Sequence, residues 1–149
     1  MISALRYSGR IRWHLVPAYG KMIVSVRGKR LISCAMGEYR LFPTVAEWKG
    51  KILLLETSEE QPTPEKYREM LLQLKHTGIF GVLSGILAGK PMDEKYMEQY
   101  REIIVSVVDN PALPIVFNLN VGHATPRCII PFGVSAKVDV DAQRIFFAK

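Results

Sequence analysis

The sequence predicts an α/β fold, and three observations carry that prediction. From Lys51 onward, short apolar runs alternate with stretches whose apolar residues recur at helical spacing. Those helical stretches come with start and stop signals of their own, at Thr63-Pro64, Gly78, Asp93 and Asn110-Pro111. The apolar runs end in glycine, proline or polar residues, as buried strands of the parallel type do.

The first strand is read over 51–56, Lys-Ile-Leu-Leu-Leu-Glu. A polar loop over 57–63 leads to a helix with Thr63 as N-cap, Pro64 as first helical residue and Glu65 in the first turn, near the positive end of the helix dipole. Tyr67, Met70, Leu71 and Leu74 fall on one face of that helix, and Gly78 caps its end. The run 82–88 is a second buried strand, closed by Gly89 and Pro91. Asp93 is expected to open the next helix, with Tyr96, Tyr100, Ile103, Ile104 and Val107 on its buried face and Asn110-Pro111 as its stop. A third strand over 114–119 runs into Gly122-His123. Beyond it, 128–130, 134–140 and 144–147 are short alternating runs separated by turn residues, which predicts an antiparallel tail. Before Lys51, strand-like pieces at 11–16, 22–26 and 31–34 are punctuated by glycine, and mostly β structure is expected there.

With 149 residues the chain has the size of one domain, 1–149, able to bury a substantial core. Its 48% hydrophobic and 23% charged residues exclude the disordered and collagenous classes. No apolar run approaches the roughly 18 to 20 residues that cross a bilayer. Arg6, Arg10 and Arg12 are not followed by the apolar core of a secretion signal, so a soluble, cytoplasmic protein with no membrane partner is expected. Cys34 and Cys128 lack metal-ligand spacing and are embedded in apolar runs; reduced, partly buried thiols and a single bridge between them both fit. The net charge of +6 is uneven: residues 1–51 hold ten Lys/Arg against two Asp/Glu. Such a bias suits nucleic acid or an acidic surface, but solvated positions or an acidic neighbouring domain are the preferred reading. The stretch has no nucleic-acid motif and few stacking aromatics, so no nucleic-acid partner is expected.

Two side chains sit where chemistry is usually placed in a parallel sheet, at the C-terminal ends of strands. Glu56 is the first polar residue after Ile52–Leu55, and His123 follows a glycine turn after the third strand. A carboxylate that orients an imidazole makes up two members of a hydrolytic triad. The plainer reading of each is a strand-end acid and a hydrogen-bonded structural histidine. Glu59 and Glu60 lie farther along a polar loop, and His14 and His76 have no comparable setting. The missing member is a nucleophile. None of the serines at 3, 8, 25, 33, 58, 84, 106 and 135 lies in a nucleophile elbow, and only Ser8 and Ser58 have turn-like surroundings.

Four motifs agree in order and spacing with a known family. Gly50-Lys51-Ile52-Leu53-Leu54-Leu55-Glu56, the helix end Gln73-Leu74-Lys75-His76-Thr77-Gly78-Ile79-Phe80, Ser84-Gly85-Ile86-Leu87-Ala88-Gly89-Lys90-Pro91, and Val121-Gly122-His123-Ala124-Thr125-Pro126 together resemble the C-terminal domain of the LD-carboxypeptidases, a family that includes the microcin C self-immunity peptidases. The resemblance runs from about Gly50 to Phe147, and residues 1–49 form a weakly matched, basic, β-rich lead-in. It implies a swivelling β/β/α-type domain with a parallel sheet, an antiparallel layer and flanking helices. It also implies a serine peptidase whose triad runs Ser, Glu, His, with Glu56 as the orienting acid, His123 as the general base and no metal or cofactor.

The family's serine lies in an N-terminal domain, in a Gly-x-Ser-Asp elbow that does not occur in these 149 residues. The chain thus resembles a C-terminal half that would be inactive alone and would need that nucleophile domain as partner. The implied reaction is hydrolysis of the L,D-amide before a terminal D-amino acid in cytoplasmic murein peptides during cell-wall recycling. A microcin-type aminoacyl-nucleotide substrate is the alternative, and a non-catalytic binding module is the rival of another class. Arg127, four residues after His123, is a candidate for a substrate carboxylate or a plain solvated arginine. An apolar face left by separation from the other half predicts self-association, as a homodimer.

Overall fold

The computed structural model describes residues 20–27 as backbone, and 43–57, 59–139 and 144–147 in full. The expected strands at 11–16 and 31–34, along with Ser8, Ser58, Cys34 and most of the basic N-terminal residues, lie outside them.

Among the described residues, six strands form one mixed sheet. In chain order the elements are β1 (Gly20–Arg27), α1 (Val45–Trp48), β2 (Ile52–Glu56), α2 (Pro64–His76), β3 (Gly85–Gly89), α3 (Met97–Val108), β4 (Ile115–Leu119), β5 (Ser135–Asp139) and β6 (Arg144–Phe147). The sheet order is β4-β3-β2-β1-β5-β6. Strands β1 to β4 pair in parallel, through Leu53↔Ile86 and Leu87↔Val116 among others. The tail is antiparallel: β5 joins β1 at Gly20↔Ala136, and β6 returns along β5. This is the α/β class, with a parallel sheet, an antiparallel portion and helices, that the sequence predicts.

Side chains on successive strand residues point to opposite faces, so β2 feeds two cores. Leu53 and Leu55 pack with α2, α3 and Trp48 in the larger one. Ile52 and Leu54 join Leu87, Val116 and Leu119 under Ala136, Val138, Ile145 and Phe147 of the antiparallel strands. Both faces of the parallel strands are therefore covered, which is why the run is apolar throughout. By the same alternation Glu56 belongs to the antiparallel side and Thr57 to the helical side.

Helix α2 forms as its signals predict: Thr63 Oγ1 accepts from the Lys66 amide, Pro64 is the first residue, and Gly78 takes the left-handed conformation just past the end (φ 80°). Its buried residues Tyr67, Leu71 and Leu74 meet Tyr100, Ile103 and Ile104 of α3. Burying side chains of this size stabilises by about 1.5–3 kcal/mol each.

Several expectations need correction. Asp93 does not open a helix: it has φ 55° inside a 3₁₀ turn, Met92–Glu94, and α3 starts at Met97. Its carboxylate accepts from the Gln61 side chain, which also donates to the Met92 carbonyl (3.3 Å each), so Asp93 is held by the β2–α2 loop instead of capping. The second strand begins at Gly85, not Val82, because the amides of Val82 and Leu83 both turn back to the Ile79 carbonyl. The run 128–130 is no strand; Pro126 and Pro131 bracket it without amide donors, and Cys128 donates its own amide to the Asn120 carbonyl at 2.6 Å. The Cys128 thiol is free and exposed, not partly buried. Before Lys51 the described residues hold a short helix beside β1, an element the sequence reading does not include. Thr44 and Glu47 form a capping box, each side chain serving the other's backbone, that turns the chain into α1 and delivers Trp48, 1% exposed, to the core.

The α2–α3 contact also sets an alkaline limit on stability. Tyr67 and Tyr100 stack with ring centroids 4.3 Å apart, and the Tyr100 hydroxyl donates to the Pro62 carbonyl at 2.5 Å. Burial, and then the neighbouring Tyr96, push the Tyr100 phenol up to about 12 from its ordinary 10.0. A phenol that holds its proton more tightly when folded contributes stability that is complete below the unfolded value and is lost as pH rises through the folded one. Resistance to denaturant should therefore fall from about pH 10 to about pH 12. Tyr100→Phe should flatten much of that slope.

Candidate active site

The site forms where β2 and β4 end side by side with β3 between them. Glu56 is the last residue of β2, with 8% of its side chain exposed, and His123 lies in the loop after β4 with 28% exposed. The structure brings these two together across 67 residues of chain: His123 Nδ1 and Glu56 Oε1 are 2.6 Å apart. A carboxylate only accepts, so this contact makes Nδ1 the donor.

Gly122 makes the contact geometrically possible. It has φ +97°, and a Cβ built on it would stand 2.6 Å from both Cδ and Cγ of Glu56. The Glu56 carboxylate therefore rests directly on a backbone that carries no side chain. Gly89, at the end of the neighbouring strand β3, has a related role, since its Cβ would meet the Val121 carbonyl at 2.9 Å. The β4 loop can thus fold down over the ends of β2 and β3.

Sequence reasoning passed over Glu59. Its Oε2 lies 2.9 Å from His123 Nε2, so the imidazole is held between two carboxylates. Glu59 is 65% exposed, unlike Glu56, and an exposed pair of this kind is worth about 0–1 kcal/mol. The only signal for it was its position three residues beyond Glu56 on the same loop. Arg127 is exposed and forms no ion pair among the described residues. Among the described residues no group of three or more His, Cys, Asp or Glu could hold a metal, and no helix is long and apolar enough to cross a membrane.

A short carboxylate–imidazole contact at the C-terminal edge of a parallel sheet, on a chain with these motifs, defines a class. The chain belongs to the LD-carboxypeptidase C-terminal domain family, whose sequence model matches residues 30–138 and so reaches back beyond Gly50, into the lead-in.

Among individual relatives, a protein of Treponema pallidum (strain Nichols), whose name gives carboxypeptidase as its inferred activity, is 31% identical over 99 residues, covering 65% of this chain and 29% of that protein. An MccF-like protein from Streptococcus pneumoniae, solved in complex with AMP, superposes with TM-score 0.77 at 47% identity, over 87% of this chain and 40% of that one. An MccF-like protein from Bacillus anthracis str. Ames follows with TM-score 0.61 and 26% identity, over 80% and 36%. The microcin C7 self-immunity protein MccF, 21% identical over 88% of this chain and 38% of its own, shares the fold at TM-score 0.68. The chain thus spans 29% to 40% of the length of these relatives.

Proposed function

We propose that this chain is the Glu- and His-bearing half of a serine-type peptidase, with Glu56 orienting His123 and His123 acting as general base and then general acid. The observation that carries the reading is the 2.6 Å contact between His123 Nδ1 and Glu56 Oε1. With Nδ1 engaged, Nε2 takes the proton of an attacking serine hydroxyl and later gives it to the leaving amine, while Glu56 stabilises the imidazolium formed between these steps. The serine and the backbone N–H groups of the oxyanion hole are assigned to a separate N-terminal nucleophile domain, without which the chain is inactive.

The proposed reaction is hydrolysis of the amide between an L-centre and a terminal D-amino acid in cytoplasmic murein peptides, in cell-wall recycling. The family's own description and the Treponema relative support it. A second reading, an aminoacyl-nucleotide substrate of the microcin type, is favoured by the 47% identity to the pneumococcal protein that was solved with AMP. Both use the same triad and differ in the leaving group. The assembled enzyme, offered a murein tetrapeptide and an aminoacyl sulfamoyl adenosine in parallel, separates them: release of D-alanine supports the first, and cleavage of the nucleotide conjugate alone supports the second. Hydrolysis of neither removes the peptidase reading and leaves the binding-module alternative, with its basic N-terminal residues, ahead.

Glu59 must leave Nε2 when a serine approaches, and its exposure makes that inexpensive. Glu59→Ala should therefore change kcat/KM of the assembled enzyme by no more than about fivefold, the equivalent of an exposed ion pair. A loss of about a hundredfold or more, the size of a general acid–base contribution, would give Glu59 a role in the chemistry instead.

A further inference from the structure

Two carboxylates hold His123, and the peptidase reading uses only the inner one. Glu56, with 8% of its side chain exposed, engages Nδ1, while Glu59, 65% exposed, stands 2.9 Å from Nε2. In that reading Nε2 is also where the reacting atoms come: the serine oxygen, and then the leaving nitrogen, approach it to about 2.6–3.2 Å. The Glu59 carboxylate therefore lies beside the position of the scissile bond.

The loop keeps it there. Three residues before Glu59, Glu56 is fixed by His123 Nδ1 and by its seat on Gly122. Two residues after it, the Gln61 side chain donates to the Met92 carbonyl and to the Asp93 carboxylate, 3.3 Å each. A backbone tied so closely on both sides has little room to shift, so Glu59 gives up Nε2 by rotation of its own side chain. Its charge then stays within a side chain's length of the reacting carbonyl. An ionised carboxylate accepts hydrogen bonds and donates none, and at that range it favours a cation and disfavours an anion.

Both substrate classes carry opposite character on the two sides of the bond to be cut. The leaving side is acidic, with the carboxylate of a terminal D-amino acid in one class and the acyl-sulfamoyl group in the other. The acyl side is basic, with an ammonium on the side chain of a diamino acid in a murein peptide, or on the α-carbon of an aminoacyl conjugate. A carboxylate set against the leaving side would oppose both classes; set against the acyl side, it assists both. We propose that Glu59 is a specificity-determining residue that pairs with an ammonium group on the acyl residue of the substrate, exchanging His123 Nε2 for that cation as the serine approaches. The assignment rests on the peptidase reading of Glu56 and His123. Glu59 moves no proton and forms no bond in it, and its exposure sets the preference at about fivefold, the ceiling for an exposed ion pair.

The test measures kcat and KM of the assembled enzyme, parent and Glu59→Gln, on two pairs of substrates that differ in the ammonium. One pair is L-Ala-γ-D-Glu-L-Lys-D-Ala and the same peptide with Nε-acetyllysine. The other is L-leucyl sulfamoyl adenosine and its analogue with a hydroxyl in place of the α-amine. Removing the ammonium also alters the intrinsic reactivity of the carbonyl, so the readout is the parent's preference for the charged member divided by the variant's, in which that difference cancels. A quotient of about five, carried by KM with kcat little changed, is expected for at least one pair. The pair that shows it tells whether the ammonium sits on the side chain or on the α-carbon. A quotient of one for every pair that is hydrolysed would overturn the assignment and leave the roles of Glu56 and His123 standing. A quotient carried by kcat alone would overturn it too, since Glu59 would then act on the chemistry and not on recognition. Hydrolysis of none of the four by the parent would remove the peptidase reading and this assignment with it.

Discussion

Glu56→Gln should lower turnover of the assembled enzyme by about 10⁴-fold while leaving the fold in place, the size of effect expected when an orienting carboxylate becomes an amide. The substitution preserves shape, so the side chain still fits against Gly122 and the strand end. What changes is its hydrogen-bonding character. A glutamine can present N–H to Nδ1, which forces the other tautomer and puts a proton on Nε2, where the serine proton has to go. KM should move little, because Glu56 touches the imidazole and not the substrate. Kinetics on the parent and variant enzymes, with thermal unfolding recorded beside them, check both halves of this expectation.

Gly122→Ala is expected to have the second-largest effect, through geometry alone. Its backbone at φ +97° is one that L-residues rarely adopt, and holding alanine there costs about 1–3 kcal/mol. The new Cβ would also lie 2.6 Å from Cδ and Cγ of Glu56, well inside contact distance, and the softer partner is the Glu56 side chain. The fold should survive with reduced stability while the carboxylate is displaced from Nδ1. Activity should then fall toward the Glu56→Gln level although no reacting group has been altered. A variant structure with Glu56 still 2.6 Å from His123, or a variant with parental turnover, would mean that the glycine serves only the backbone.

How far the site was legible in the sequence follows from where each residue sits. Glu56 ends an apolar strand and His123 follows one, and the C-terminal edge of a parallel sheet brings such positions together; the apolar runs mark both. Glu59 carries no such mark, because a loop acid reaches an imidazole only through the particular path of the β2–α2 loop. Arg127 was singled out by its closeness to His123 in sequence, yet the loop leaves it exposed.

Elements followed the same logic. Strands β2 and β4 and helix α2 match their local signals to within a residue or so, since burial period and capping residues agree there. Helix α3 starts later than Asp93 because Gln61, far away in sequence, holds the Asp93 carboxylate. Asn118 could not be placed by alternation, because the register slip in β4 is itself the departure from alternation. The Thr44-Glu47 capping box, by contrast, is written in the sequence as Thr-x-x-Glu, a local signal that the reading of the lead-in does not use.

The central claim is that His123 is the base of a serine-type hydrolysis completed by a nucleophile domain. The most direct measurement is D-alanine release from a murein tetrapeptide, and sulfamoyl adenosine release from an aminoacyl sulfamoyl adenosine, by the assembled enzyme with His123 and with His123→Ala. The account expects turnover of whichever substrate is used to fall by about 10⁴-fold or more, with the far-ultraviolet spectrum of the protein unchanged. Turnover within a factor of a few of the parent, in a folded variant, would contradict it.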